Sequence, residues 1–251
     1  MQDPLHQFVI HPYFRILKIG GIELSFTNSS LAVVMDIVLI CVLMSMAIGG
    51  RKLIPGRLQA LAEIFHRFIA NLVEDNIGPR GQKYFPFVFS VFLFVLFGNL
   101  LGMIPGAFTF TSHIVATFTL AMIVFLSVTV VGFRRHGLKY FGILAPGGVS
   151  GGLLFFLVPI ELISYLSRPI SLAIRLFANM MAGHTMMKVF AGFAVMLSSS
   201  DAGSFSRAAN VIPLAANVML TGFEIAVALL QAYVFAILTC VYMNDAVNLH
   251  H

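Results

Sequence analysis

Charged residues are scarce in this chain of 251 residues: Asp, Glu, Lys and Arg make up 10% of it, whereas hydrophobic residues make up 59%. So little charge excludes an ordinary soluble domain, and the mean hydropathy of +0.95 indicates a protein that resides in lipid. The bulky apolar side chains, among them 25 Phe and 13 Met, exclude a disordered chain. The two cysteines, Cys41 and Cys240, each lie inside an apolar run, which excludes a disulfide framework.

Several motifs that would indicate other functions are also missing. No GK[ST] follows the glycines of PGGVSGG at 146–152, so a phosphate loop and direct nucleotide binding are not predicted. No nucleophile with a neighbouring base indicates an enzyme acting on lipid. Of the eight histidines, His184 alone lies well inside an apolar run, which disfavours a haem-binding electron carrier. The net charge of +5 does not indicate nucleic acid, because most cations lie between apolar runs, and the sequence indicates no cofactor or metal.

Long apolar runs predict an all-α integral membrane protein with about five membrane crossings. Three runs are long enough to span a hydrocarbon core of about 30 Å, at 31–50, 84–104 and 114–133. The runs at 152–197 and 208–243 would form helices of about 69 and 54 Å, too long for upright spans. We therefore expect two steeply tilted helices that form a hairpin through residues 198–207, with Pro169 as the expected kink or break.

The remaining segments complete a single membrane domain over 1–251. Apolar residues recur at three-and-four spacing over 57–77, which predicts an amphipathic helix lying along the membrane interface. Residues 1–30 read as a short polar arm with no apolar stretch typical of a cleaved signal peptide. Nine of the fifteen Lys and Arg fall within 51–83 and 134–139. The positive-inside rule places these segments inside and the amino-terminal arm outside.

Ionisable side chains inside the last two apolar runs are the main functional signal. A bare charge at the bilayer centre costs at least about 2.5–3.5 kcal/mol, so each of these groups needs compensation. No Asp or Glu occurs between Glu161 and Asp201, so Arg175 has no acidic partner at i±3 or i±4 on its own helix. Its counter-charge is expected on another segment or another protein. Snorkelling toward an interface is the alternative for Arg168 and Lys188.

Helical geometry groups these side chains. At 100° per residue, one stripe of the first long helix carries Arg168, Ser171, Arg175 and Asn179, with Glu161 close to it and nearer the inside. Asn217, Glu224 and Gln231 repeat every seven residues on the second long helix. In an antiparallel hairpin the numbers of facing residues have a nearly constant sum. We therefore expect Arg175 to face Gln231 at mid-depth, and His184 to face Glu224 nearer the outside.

Two interpretations of the outer pair remain open at this point. His184 and Glu224 either fix the register of the hairpin or exchange protons, since an imidazole and a carboxylate at one depth can titrate near neutral pH. Asp36 in the first span either adds to that site or lies near the outer interface.

The string PIELISYLSRPISLAIRLFANMMAGH, followed by GFEIAVALLQAYVFAILTCVYM, resembles subunit a of rotary proton-translocating ATP synthases. The resemblance extends from about residue 30 to 245 and includes GRLQALAEIF and FGNLLGMIPG. It implies that Arg175 faces the carboxylates of a rotating c-ring. It also implies proton-path roles for Glu161, Asn179, His184, Glu224 and Gln231. No channel role is assigned to His113, because TSHI at 111–114 departs from members with an aspartate in that loop.

The expected function is a proton-translocating stator subunit that is not an enzyme by itself. Two offset half-channels would serve the c-ring, with Ser171 and Glu161 on the inner path and Asp36 as a further candidate. The resemblance implies c-ring subunits, peripheral-stalk b subunits and lipid as partners, with a bacterial inner membrane as the location and the mitochondrial inner membrane as the alternative. H⁺ is favoured over Na⁺ by His184 and Glu224. A stand-alone transporter or channel is the rival, although no internal repeat supports it.

Overall fold

The computed structural model describes residues 9–19, 22–49, 55–104, 107–144, 151–199 and 211–248. Six α-helices run through these ranges: α1 Asn28–Gly49, α2 Arg57–Ile77, α3 Phe85–Gly102, α4 Ile114–His136, α5 Gly151–Ser199 and α6 Val211–Val247. All but α2 are long and apolar enough to cross a membrane, which confirms the all-α membrane class. We call the end of the molecule with the α3–α4 connection the outer end, and the end with the α4–α5 connection the inner end.

The two last helices are much longer than a membrane core is thick. Helix α5 has 49 residues and α6 has 37, which corresponds to about 73 and 55 Å. Pro159 and Pro169 both lie inside α5, and the helix continues through them, so α5 does not break at Pro169. A kink at Pro169 stays a prediction. The steep tilt of the hairpin stays a prediction. Its expected connection at 198–207 lies mostly outside the described residues.

Helix α6 is the centre of the core. It contacts α2, α3, α4 and α5, and its inward face carries small side chains beside one large ring: Ala232, Ala236 and Phe235 are all 0% exposed. Small residues let neighbouring helices approach closely where water provides no hydrophobic drive for association. This close packing holds the polar side chains of α6 at fixed positions relative to α5.

Helix α2 has the bounds expected for the interfacial helix. Its buried face, which includes Ile69 and Val73, packs against α3 and α6, while Leu61 and Ile64 remain exposed. The helix ends at Gly78, whose φ of 80° is readily adopted only by glycine, and the N–H of Gly78 donates to the carbonyl of Glu74.

The amino-terminal arm contains structure that the sequence analysis missed. Strands β1 Pro12–Ile19 and β2 Ile22–Thr27 pair antiparallel. The signal was present in the alternation of IELSFT and in the two glycines that separate the strands in sequence, which are typical of a tight hairpin. The hairpin lies outside the helical core and does not change the fold class.

Candidate functional site

The outer half of the α5–α6 hairpin holds a buried pair of an acid and a histidine. His184 is 6% exposed and Glu224 is 3% exposed. Nδ1 of His184 lies 3.5 Å from Oε1 of Glu224, and neither carboxylate oxygen has a hydrogen-bond partner among the described residues. Sequence reasoning placed these two residues opposite each other, and the structure brings them together. A carboxyl group in this position can gain or lose a proton without the loss of a strong structural hydrogen bond.

A glycine of α5 makes room for this carboxylate. A Cβ atom at Gly183 would lie 2.7 Å from Oε1 of Glu224, closer than real Cβ contacts allow. Glu224 therefore rests against the backbone of α5, directly beside His184. The absence of a side chain at Gly183 determines how near the two titratable groups can come.

A third polar residue reaches the pair from the α3–α4 connection. The hydroxyl of Thr109 lies 3.2 Å from Nε2 of His184 and donates a 3.0 Å hydrogen bond to the carbonyl of Gly102, the last residue of α3. Thr109 is 6% exposed. Sequence reasoning missed it, because a threonine in an irregular connection carries no periodic signal that would relate it to a helix 75 positions away.

Asp36 of α1 is buried in a separate place at the outer end. It is 0% exposed, and neither carboxylate oxygen has a hydrogen-bond partner among the described residues. A Cβ atom at Gly98 would lie 3.5 Å from its Oδ2 and 2.6 Å from the ring of Phe110. The carboxylate thus sits beside α3, next to the segment Phe110–Ser112, which also contacts α5. Asp36 is a buried side chain of the protein interior and does not lie at an exposed interface.

At mid-hairpin, the partner expected for Gln231 was wrong. Nδ2 of Asn179 donates a 2.8 Å hydrogen bond to Oε1 of Gln231, and no described hydrogen bond joins Arg175 to Gln231. At this level of the hairpin, Gln231 therefore meets a residue one helical turn further along α5 than the expected one. Gln231 is 1% exposed and Asn179 is partly exposed, so this amide pair is a part-buried bridge between the two helices.

Arg175 lies on the side of α5 that faces away from the subunit core. Leu172 and Leu176 point about 60° and 100° around the helix from Arg175 and are 1% and 0% exposed, whereas Ser171 and Arg175 are exposed. The ion pairs within the described residues join Arg67 to Glu63, Arg168 to Asp245 and His184 to Glu224. Arg175 is in none of them, so no acid that the structure describes neutralises its charge.

The inner end of the hairpin contains a cation with an acidic partner. Nη1 of Arg168 lies 2.8 Å from Oδ2 of Asp245, and the guanidinium carbon lies 5.5 Å from the ring centre of Tyr165 and 5.1 Å from that of Tyr242. The ion pair and the two aromatic faces compensate the charge. Snorkelling is therefore not needed to explain Arg168, and the sequence analysis did not foresee its pairing.

Two further ionisable residues lie on α5, Glu161 toward the inner end and Lys188 one helical turn beyond His184. Glu161 and Lys188 are both partly exposed, and neither forms an ion pair with a described residue. In the α3–α4 connection, His113 stacks on Phe108 with 5.1 Å between ring centres. Burial lowers the pKa of His113, which favours the neutral form of this imidazole.

The fold and the site define a multi-pass membrane protein whose two longest helices carry ionisable groups within their apolar lengths. Residues 29–244 match the family model described as ATP synthase A chain. The chain is 52% identical over 246 residues to ATP synthase subunit a of Allorhizobium ampelinum, which covers 98% of this chain and 97% of that protein.

Two further relatives give the same result over their full lengths. ATP synthase subunit a of Paramagnetospirillum magneticum is 49% identical, with 100% of both chains covered. The protein of the same name from Pelagibacter ubique is also 49% identical, with 99% of both chains covered. The chain belongs to the ATP synthase A chain family, which confirms the resemblance seen in its motifs.

Proposed function

We propose that this chain is the proton-translocating stator subunit of an ATP synthase and that it couples proton flow to the rotation of a c-ring. The observation that carries the proposal is the position of Arg175: it is exposed, it lies halfway along α5, and it has no acidic partner among the described residues. A lipid-facing charge without compensation would be costly. A carboxylate on a neighbouring subunit would supply the missing negative charge.

The outer proton path contains His184 and Glu224. A proton from outside passes this pair and neutralises a carboxylate of the ring, which then enters lipid without the full cost of a buried charge. The oxygens of Glu224 accept no hydrogen bond from a described residue. This supports the role, because a purely structural acid in a buried site normally accepts hydrogen bonds. Asp36 extends the proposed path, since it is buried beside the same α3–α4 connection.

The inner proton path contains Ser171 and Glu161. After nearly a full turn of the ring, the ring carboxyl group releases its proton toward the inner side along this stripe. Arg175 separates the two paths, because its guanidinium keeps its proton, favours an ionised ring carboxylate and repels hydronium. The hydrogen bond between Asn179 and Gln231 joins α5 to α6. Asn179 lies one helical turn from Arg175 on α5. Each proton contributes about 2.3 kcal/mol per 100 mV of membrane potential.

The proposed partners are the c-ring, the peripheral-stalk b subunits and membrane lipid, in a bacterial inner membrane. Proton transfer between His184 and Glu224 favours H⁺ as the coupling ion. The chain itself carries out no catalytic step. It provides the two proton paths and the fixed positive charge of Arg175, past which the ring carboxylates move.

The test is Arg175→Ala in the complete synthase reconstituted in liposomes. We expect proton-driven ATP synthesis to be lost, with a passive proton leak through the complex, because the charge that separates the two paths is gone. Arg67→Ala is the matched control, since the side chain of Arg67 is 79% exposed and, among the described residues, pairs with Glu63 one turn away. Synthesis at the control rate by Arg175→Ala would refute the proposal.

A further inference from the structure

The hydrogen bonds around Thr109 determine which nitrogen of His184 carries the proton in the neutral imidazole. A carbonyl oxygen can only accept, so the 3.0 Å contact between Thr109 and the carbonyl of Gly102 uses the single hydrogen of the hydroxyl. The remaining lone pairs of the hydroxyl oxygen face Nε2 of His184 at 3.2 Å. Nε2 must therefore be the donor, and it must carry a hydrogen.

This assignment leaves Nδ1 as the free acceptor of the neutral ring. Nδ1 is the nitrogen that faces Oε1 of Glu224 at 3.5 Å. The two ring nitrogens thus have different roles: one is anchored to the α3–α4 connection, and the other is directed at the acid.

Two glycines keep both contacts short. A Cβ atom at Gly102 would lie 2.5 Å from Cγ2 and 2.7 Å from Oγ1 of Thr109, and one at Gly183 would lie 2.7 Å from Oε1 of Glu224. A side chain at either position would push one neighbour away from the imidazole. The short contacts of His184 with Thr109 and with Glu224 thus depend on a glycine in α3 and a glycine in α5.

We propose that Thr109 is a positioning residue that anchors Nε2–H of His184, so that Nδ1 alone exchanges protons with Glu224. An incoming proton forms a bond to Nδ1 and gives the imidazolium. The Nδ1–H bond then breaks, the proton forms an O–H bond on Glu224, and the ring returns to the neutral state with Nε2–H unchanged throughout. This proposal rests on the proton path proposed above. Glu224 across the hairpin and Lys188 one turn along α5 are the charged groups that act on His184.

The direct test is the nitrogen spectrum of His184 in the complete synthase in membranes. Complex labelled with ¹⁵N-histidine is compared with an identically labelled H184Q complex, and the difference spectrum isolates this ring across a pH series. We expect a neutral form with protonated Nε2 and unprotonated Nδ1. A neutral form with protonated Nδ1, or an imidazolium that persists throughout the series up to about pH 9, well above the ordinary histidine pKa, would overturn the proposal.

Hydroxyl variants separate positioning from packing. Thr109→Val removes the hydroxyl and keeps the branched shape, and we expect both tautomers in its spectrum, with a roughly fivefold slower proton delivery from the outer side, as for the loss of one neutral hydrogen bond. Thr109→Ser should restore the Nε2–H tautomer and most of the rate. Thr119→Val is the control, because within the described part of the chain the hydroxyl of Thr119 donates to the carbonyl of Val115 on its own helix.

The outcome of this test is independent of the test of Arg175. An unchanged tautomer in Thr109→Val would overturn the role of Thr109 even if Arg175→Ala loses coupling. Retained coupling in Arg175→Ala would refute the stator function even if Nε2 of His184 proves to be protonated as expected.

Discussion

The two ends of the α5–α6 hairpin differ in the partners that they provide for an ionisable side chain. At the inner end, Arg168 has an acid at 2.8 Å and two tyrosine rings against its guanidinium. At the outer end, Glu224 has a histidine nitrogen at 3.5 Å and no hydrogen-bond partner for either oxygen among the described residues. Both sites lie on the same two helices, so the helices themselves do not account for the difference.

The inner end has the contacts of a structural ion pair, whereas the outer end is the proposed site of proton transfer. The hydroxyl of Tyr165 is also held by Thr129 at 2.7 Å and by Tyr140 at 3.0 Å, and burial raises the pKa of Tyr140 well above its usual value. A network with so many satisfied partners stabilises one arrangement. A buried carboxylate whose oxygens accept no hydrogen bond from a described residue remains able to bind a proton, as the proposed proton path requires.

The largest effect should come from changing the outer pair. Glu224→Gln removes the titratable group, and we expect proton delivery from outside to fall about 100-fold, the usual scale for loss of a group that transfers protons. His184→Gln should have a similar effect. The double variant should be little worse than either single variant, because both act in one step. The measurement is ATP-driven and potential-driven proton flux in liposomes.

The same variants sharpen the comparison with the inner end. Because Glu224 accepts no hydrogen bond from a described residue, Glu224→Gln should leave the melting temperature of the complex within the range of an exposed control such as Glu63→Gln. Additive flux losses in the double variant would show that His184 and Glu224 act separately.

A smaller effect is expected from closing the space beside Glu224. Gly183→Ala puts a methyl group 2.7 Å from Oε1 of Glu224, so the carboxylate must move away from His184, and we expect proton flux to fall roughly tenfold. Gly192→Ala on the same helix is the matched control, because a Cβ atom there meets nothing within 4 Å. Equal flux in the two variants would contradict the importance of the short approach.

The smallest effect should follow from the inner ion pair, and it should appear in stability. Asp245→Asn removes the partner of Arg168, whose side chain is 21% exposed, and we expect a loss of about 1 kcal/mol. Thermal unfolding of the assembled complex measures this loss against Glu63→Gln, whose exposed pair contributes almost nothing. A melting temperature equal to that of the control would show that the inner pair does not stabilise the hairpin.

The sequence predicted the helices and the outer pair well, because both follow from periodicity. Apolar runs give the helices, and antiparallel counting brings His184 to Glu224. The same counting failed at Gln231, because it assumes one constant register. Toward the inner end, each α5 residue instead contacts an α6 residue further along the chain than a constant register predicts. The contact of Thr109 could not be predicted from the sequence for another reason. Its position beside His184 is fixed by the path of the α3–α4 connection, which depends on tertiary packing.

Direct cross-linking in native membranes tests the central claim that Arg175 meets a charge on a moving neighbour. The native cysteines are first removed by Cys41→Ser and Cys240→Ala, and single cysteines are then introduced by Ser171→Cys and Ala178→Cys on the exposed side of α5. Leu172→Cys, at a position 1% exposed, is the buried control. We predict that the exposed positions, but not the control, cross-link to c-ring cysteines placed beside the ring carboxylate, and that successive ring subunits react as the ring turns. Cross-links from the exposed positions only to this chain, or only to lipid probes, would contradict the account.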